Sequence, residues 1–153
     1  MEMSRTAARE LALRLTFALM ENPVPSGEFL EEILSPDYYM SLGGEDKLYE
    51  AYPGDDARSY LARAVAGVSE HGAELDGYIS KYAVGWDFHR ISRTAAAILR
   101  LAMFETLYMS GEVPVRAAIN EAVELAKKYE HPETVPFVNG LLASFVRGEL
   151  PGE

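Results

Sequence analysis

AAINEAVELAKKYEHPETVPFVNGLLASFV, residues 117–146, is the stretch that decides the fold. Its apolar residues recur at three- and four-residue spacing, which predicts two amphipathic helices on either side of a short His-Pro break. It contains none of the residue pairs from which an active site is usually built. We therefore expect a helical scaffold that presents a binding surface.

The same periodicity extends over most of the chain. It predicts helices after a cap at Ser4 or Thr6, around Phe29 to Leu34, from Asp55 or Asp56 to Gly72, and in the later segments 73–82, 93–109, 114–129 and 134 onward. The helix over 93–109 is expected to be central and most buried. Residues 35–56 are irregular and acidic, and we expect a long surface connection with one helical turn. No stretch alternates as a strand does, so the prediction is an all-α fold of about seven helices.

Size and composition favour one intracellular domain. The chain has 153 residues, of which 48% are apolar and 25% charged, so it can bury a core as a single domain, 1–153. It has no cysteine, which excludes disulfides and thiolate chemistry. Charged residues interrupt the apolar N-terminal run, and no uncharged segment reaches membrane-spanning length. We expect a cytoplasmic protein without a membrane partner.

The net charge of −10 is unevenly distributed. Residues 1–20 carry three basic and two acidic side chains, residues 21–76 three and thirteen, and residues 77–153 eight and nine. A polyanion could therefore approach the outer thirds, although the acidic middle would repel it over about 8 Å at physiological salt. Charge alone gives only weak support for RNA binding.

Residues with catalytic or metal-binding chemistry are scattered. No two of the three histidines stand at metal-ligand spacing, and Gly43 and Gly44 do not lie between a strand and a helix as a phosphate loop requires. Glu105 lies on the predicted central helix without an evident partner, so a structural role is favoured over acid–base catalysis. We expect no catalytic residue, no metal and no cofactor.

Residues suited to nucleic acid are present at the start of the chain. Arg5 and Arg9 are four apart and share a helix face, whereas Arg14 points elsewhere. Aromatic residues, among them Phe17, Tyr82 and Phe137, could stack on unpaired bases, although core packing is the commoner role. From the residues alone, the chain is a helical domain that binds rather than catalyses.

Several segments closely resemble the bacterial NusB family of transcription antitermination factors. They are ILRLAMFETLYMSGEVPVRAAINEAVELAKKY (98–129), FVNGLL (137–142), SRTAARELALRLTFAL (4–19) and LDGYISKYAVGW (75–86), which together cover nearly the whole chain. The resemblance implies an all-helical fold of two small helical bundles. It further implies binding to boxA-like single-stranded RNA of ribosomal RNA transcripts together with NusE, a ribosomal protein, within an RNA polymerase antitermination complex.

The resemblance also implies positions for these contacts. RNA contacts fall on residues from both ends of the chain, namely Arg5, Arg9, Phe17, Tyr82, Glu133, Thr134 and Phe137. Glu133 and Thr134 begin the last helix, where free backbone amides would favour phosphate. The NusE-facing side is expected over the turn and helix from Trp86 through Arg100, with Arg90 and Arg93 between them. The turn includes Phe88 and His89 as well.

This sequence departs from the family's pattern at two places. Thr6, Ala7 and Ala8 stand where some relatives have a run of arginines, which predicts weaker RNA binding and a shallower salt dependence. Ala95 and Ala96 replace charged residues common in that family, which would move or remove polar contacts with NusE. Two alternatives remain at this stage: an accessory domain of an rRNA cytosine methyltransferase, whose catalytic region has no counterpart here, and a self-associating homodimer.

Overall fold

The computed structural model describes residues 3–86 and 90–152 of the chain, and within them every regular element is helical. The eight α-helices are α1 (Arg5–Glu21), α2 (Ser26–Ile33), α3 (Pro36–Ser41), α4 (Asp55–Glu70), α5 (Gly72–Tyr82), α6 (Arg93–Tyr108), α7 (Val115–Tyr129) and α8 (Thr134–Glu149). The predicted all-α class is confirmed, with one helix more than expected. Phe88 and His89 lie outside the described residues.

Helix starts follow the local sequence. The Ser4 side chain accepts a hydrogen bond from the Ala7 amide at 3.0 Å, and Ser92 accepts one from the Ala95 amide at the same distance. Each hydroxyl therefore satisfies an amide that has no partner within its helix. Of the two caps predicted for α1, Ser4 is the one used.

The chain divides into two compact units, Met1–Ser69 and Glu70–Glu153. This division agrees with the expectation of two helical bundles, whereas their behaviour as one domain stays a prediction. In the second unit α6 packs against α5, α7 and α8. Every residue of α6 from Ala95 to Thr106 is buried except Arg100, as expected for a helix that is apolar on nearly all sides. The burial includes Glu105, which is fully inaccessible to solvent.

The acidic segment of the first unit is more ordered than the sequence indicated. It contains α3 and a 3₁₀ turn at Lys47–Glu50, and its Tyr39 side chain is completely buried. The rings of Tyr49 and Tyr52 meet Tyr39 edge-on, with centroids 5.6 and 5.3 Å away. Burial, followed by these two tyrosines, raises the pKa of Tyr39 to about 12. The expected surface connection is thus folded around an aromatic cluster.

Candidate nucleic-acid interface

In the first unit, the two predicted RNA-binding arginines lie over one aromatic ring. The guanidinium carbons of Arg5 and Arg9 lie 4.7 and 5.8 Å from the centroid of Tyr60, a fully buried residue of α4. Their four-residue spacing on α1 brings them to the same ring, which attracts cations through its π face. The sequence did not predict Tyr60 as the contact of these arginines, because it lies about fifty positions from either of them.

The two arginines differ in exposure. Arg9 is only 6% exposed, whereas Arg5 is half-buried and lines a cleft of about 200 Å³ that also contains Asp56. Phe17, predicted as an aromatic contact, is half-buried further along α1. Arg5 is therefore better placed than Arg9 to meet a ligand phosphate, although a carboxylate lies near it.

Arg14 is engaged in a different way. Its guanidinium donates to Asp46 at 2.7 Å, lies 3.5 Å from Glu10, and is 5.5 Å from the ring centroid of Tyr49. These contacts fix Arg14 against the segment that follows α3. The prediction that it points away from Arg5 and Arg9 agrees with this arrangement.

In the second unit, Tyr82 is attached to the end of α8. Its hydroxyl donates to Glu149 and its ring meets Phe145 edge-on, with centroids 6.0 Å apart. A Cβ at Gly148 would collide with this hydroxyl, so glycine permits the close approach. The Glu149 carboxylate, followed by burial, raises the pKa of Tyr82. Its hydroxyl proton is therefore already donated, so toward an RNA base the hydroxyl could only accept a hydrogen bond, while the ring could stack.

Phe137 and Trp86 meet each other, although the resemblance assigns them to different partners. Their ring centroids are 4.6 Å apart, and Trp86 is 54% exposed. The pair forms one aromatic surface at the start of α8. RNA and NusE would therefore approach adjoining parts of this surface if both assignments hold.

The backbone at the start of α8 offers fewer free amides for a phosphate than the sequence suggested. The Thr134 amide donates to the His131 carbonyl at 2.8 Å, and the Val135 amide donates to the Pro132 carbonyl at 3.3 Å. Pro136 has no amide hydrogen. In addition, the Glu133 carboxylate lies 3.0 Å from His131 Nδ1. The expectation of free amides for phosphate at Thr134 was wrong, because the preceding turn uses them.

The predicted NusE-facing arginines divide into two kinds. Arg90, which precedes α6, and Arg93, its first residue, are both exposed. Arg100 instead makes a two-pronged contact with Asp76 of α5, in which Nε donates to Oδ1 at 2.8 Å and Nη2 donates to Oδ2. Arg100 therefore holds α5 to α6. The departures Ala95 and Ala96 are 1% and 6% exposed, so neither offers a surface contact.

The comparisons with known proteins cover nearly the whole chain. The model of the NusB family matches residues 6–147. The chain belongs to the NusB family. The transcription antitermination protein NusB of Ruminiclostridium cellulolyticum is 37% identical over 99% of this chain and 94% of its own length. That of a Thermoanaerobacter species is 35% identical over 96% and 93%. The chain is thus a transcription antitermination family member and not an enzyme, as expected.

Solved structures give the same fold. T. maritima NusB superposes with a TM-score of 0.71 at 26% identity, covering 99% of this chain and 96% of that one. A chain in the crystal structure of a plectonemic RNA supercoil gives a TM-score of 0.74 at 23% identity, covering 97% and 98%, and shows the fold alone. Within the described ranges, no helix is long and apolar enough to cross a membrane, and no His, Asp and Glu cluster could hold a metal ion.

Proposed function

We propose that this NusB-family chain binds boxA-type RNA of ribosomal RNA transcripts together with NusE, and that it acts on elongating RNA polymerase in the cytoplasm. The observation that carries the proposal is the match to NusB antitermination proteins over almost the full length of both chains. Arg5 is the less buried of the two α1 arginines and is assigned to an RNA phosphate, and the Trp86–Phe137 pair, in which Trp86 is 54% exposed, is assigned to an unpaired base.

NusE is assigned the exposed part of the turn and helix from Trp86 onward, chiefly Arg90 and Arg93. Arg100 is assigned to the same surface, although its guanidinium is already held by Asp76. Only two of the three arginines near the N-terminus are assigned to RNA, and residues 21–76 are strongly acidic. RNA affinity alone is therefore modest and rises when NusE adds its own contacts.

The test is a titration of a boxA oligonucleotide with and without purified NusE at several salt concentrations. NusE should increase the affinity, and Arg5→Ala should weaken it and reduce the salt slope by about 0.7, the value for one phosphate contact on single-stranded nucleic acid. Arg58→Ala is the matched control, because this arginine pairs with exposed Asp55 in the same unit and is not assigned to RNA. An affinity that does not change with NusE contradicts the proposal.

Self-association is tested in the same samples by light scattering. A dimer that dissociates at saturating RNA would bury RNA-facing residues in its interface. One that persists would place its interface elsewhere on the chain.

A further inference from the structure

Tyr60 of α4 has no access to solvent, yet it lies beside the arginine that is assigned to an RNA phosphate. The Arg5 guanidinium carbon is 4.7 Å from the centroid of its ring, and that of Arg9 is 5.8 Å from it. Both distances lie within the about 6 Å over which the face of an aromatic ring attracts a cation. One buried ring therefore contacts both of these cations of α1.

Only one of the two arginines is well placed to reach a ligand. Arg9 is 6% exposed, whereas Arg5 is half-buried and lines the cleft of about 200 Å³ together with Ser4 and Gly54. Because Tyr60 is fully buried, it cannot touch a bound strand itself. Any effect of its side chain on RNA binding must therefore act through the arginines or through the stability of the fold.

The same cleft offers Arg5 a different partner. Asp56 lines it and stands four residues before Tyr60 on α4, the spacing that puts two side chains on one helix face. A carboxylate contact cancels the charge that attracts a phosphate, as in the contact of Arg14 with Asp46 at 2.7 Å. The Tyr60 ring is neutral, so its attraction for Arg5 cancels no charge. The ring thus favours a position of Arg5 that suits a phosphate over one that pairs with Asp56.

Contact with the ring also limits the movement of the Arg5 side chain. A long side chain that is free in the unbound protein loses rotamer entropy when a ligand orders it, and this loss weakens binding. A guanidinium that is already held beside the cleft loses less. Ordering one such side chain in advance strengthens binding about 2- to 12-fold.

We propose that Tyr60 is a positioning residue for RNA binding, whose ring holds the Arg5 guanidinium beside the cleft for a phosphate of the bound strand. Tyr60 itself does not touch the RNA. The inference rests on the proposed function and adds to it the buried residue on which the Arg5 contact depends.

The test is a titration of the full chain with a boxA oligonucleotide at several salt concentrations. Tyr60→Phe keeps the ring and should bind as the wild-type chain does. Tyr60→Leu keeps an apolar side chain but removes the π face, so it should weaken binding about 2- to 12-fold. It should also reduce the salt slope, by at most the value of about 0.7 expected for one phosphate contact.

A double-mutant cycle shows whether the effect passes through Arg5. In an Arg5→Met background, Tyr60→Leu should cause no further loss of RNA affinity, because the side chain that it positions is absent. General damage to the fold would instead weaken binding by the same factor in both backgrounds. This readout separates a positioning role from a merely structural one.

Tyr39→Leu is the matched control. Tyr39 is also a fully buried tyrosine of the first unit, but its ring meets Tyr49 and Tyr52. This variant should lose stability and keep the RNA affinity of the folded chain, and urea unfolding gives the folded fraction of every variant.

A second series applies if Tyr60→Leu does not fold. Tyr60→Phe carrying one to three ring fluorines keeps the shape of the ring while withdrawing electron density from its face. RNA affinity should fall with each added fluorine at position 60. The same series at position 39 should leave it unchanged.

The outcomes separate the inference from the proposed function. If the wild-type chain binds boxA RNA and neither Tyr60→Leu nor the fluorinated series alters its affinity, the positioning role is wrong and the proposed function stands. The role is equally overturned by an equal loss in the Arg5→Met background or at Tyr39. Tighter binding without the ring would mean that Tyr60 competes with the phosphate for Arg5, which also contradicts it. If the wild-type chain binds no RNA with or without NusE, the proposed function fails too.

Discussion

Residues 34–52, here called the tyrosine segment, and helices α5–α8, called the helix block, are stabilised by different polar contacts. In the tyrosine segment, phenol hydroxyls complete the backbone. Tyr39 donates to the Ala51 carbonyl at 2.9 Å, and Tyr52 donates to the Leu34 carbonyl at 2.5 Å. Short helices leave many carbonyls without an internal partner, so a side chain must supply the donor.

In the helix block, the long helices satisfy their own backbone, and polar side chains connect one helix to the next. Arg100 joins α6 to Asp76 of α5, while Lys81 of α5 contacts Glu149 of α8 at 2.7 Å. The difference shows that the tyrosine segment depends on a few large side chains for its backbone path. The helix block uses comparable contacts only to set how its helices meet.

The largest effect is expected from removing the centre of the tyrosine segment. Tyr39→Ala should lower the free energy of unfolding by about 3–5 kcal/mol, because it empties a fully buried aromatic site. Tyr39→Phe should cost about 1 kcal/mol, since it keeps the ring and leaves the Ala51 carbonyl without its donor. Urea unfolding measures both values. Tyr38→Ala is the control, as this neighbouring ring is 44% exposed. An equal loss of stability at Tyr38 would contradict the expectation that burial of the Tyr39 ring causes the effect.

The tyrosine segment is also where prediction from the sequence was weakest. Helix α6 was predicted to within one residue of its end, because its apolar run and the Ser92 cap are local features. The burial of Tyr39 depends on the rings of Tyr49 and Tyr52, which glycines and acidic residues separate from it in the sequence. Local pattern contains no information on which tyrosine turns inward.

In the candidate site, too, local features were predicted from the sequence, whereas contacts between distant residues were not. The spacing of Arg5 and Arg9 predicted a shared face, whereas their common contact, Tyr60, is distant in sequence. The hydrogen bonds that occupy the Thr134 and Val135 amides depend on the conformation of the His-Pro turn, which composition does not determine.

The second effect in size tests the joint between α5 and α6. Asp76→Ala should cost about 2 kcal/mol, because it leaves the Arg100 guanidinium, with a side chain only 17% exposed, without its carboxylate. A double-mutant cycle with Arg100→Met should show that the second substitution costs less once Asp76 is absent. Glu124→Ala breaks an exposed pair in the same block and should cost less than about 0.5 kcal/mol. Equal costs for the two carboxylates would remove the distinction between structural and solvated ion pairs.

A smaller effect compares two buried threonines, one in each unit. Thr16 and Thr106 are both 2% exposed, yet the Thr106 hydroxyl donates to the Met103 carbonyl at 2.8 Å, whereas that of Thr16 has no hydrogen-bond partner among the described residues. Thr106→Val should therefore cost about 1 kcal/mol, and Thr16→Val should be neutral or slightly stabilising. Thermal or urea unfolding of the two variants provides the comparison. A loss at position 16 equal to that at 106 would show that the Thr16 hydroxyl is satisfied by bound water.

The smallest effect concerns the joint between α5 and α8 and its dependence on pH. Lys81, followed by Tyr82, lowers the pKa of Glu149 from its usual 4.5. A carboxyl group with a lowered pKa in the folded state stabilises the fold above its unfolded pKa, and this contribution is lost as pH falls through the folded value. The wild-type chain should therefore lose more stability than Glu149→Gln when the urea midpoint is followed from pH 6 down to about pH 3. Identical pH profiles would mean that the Lys81–Glu149 contact is too well solvated to stabilise the end of α8.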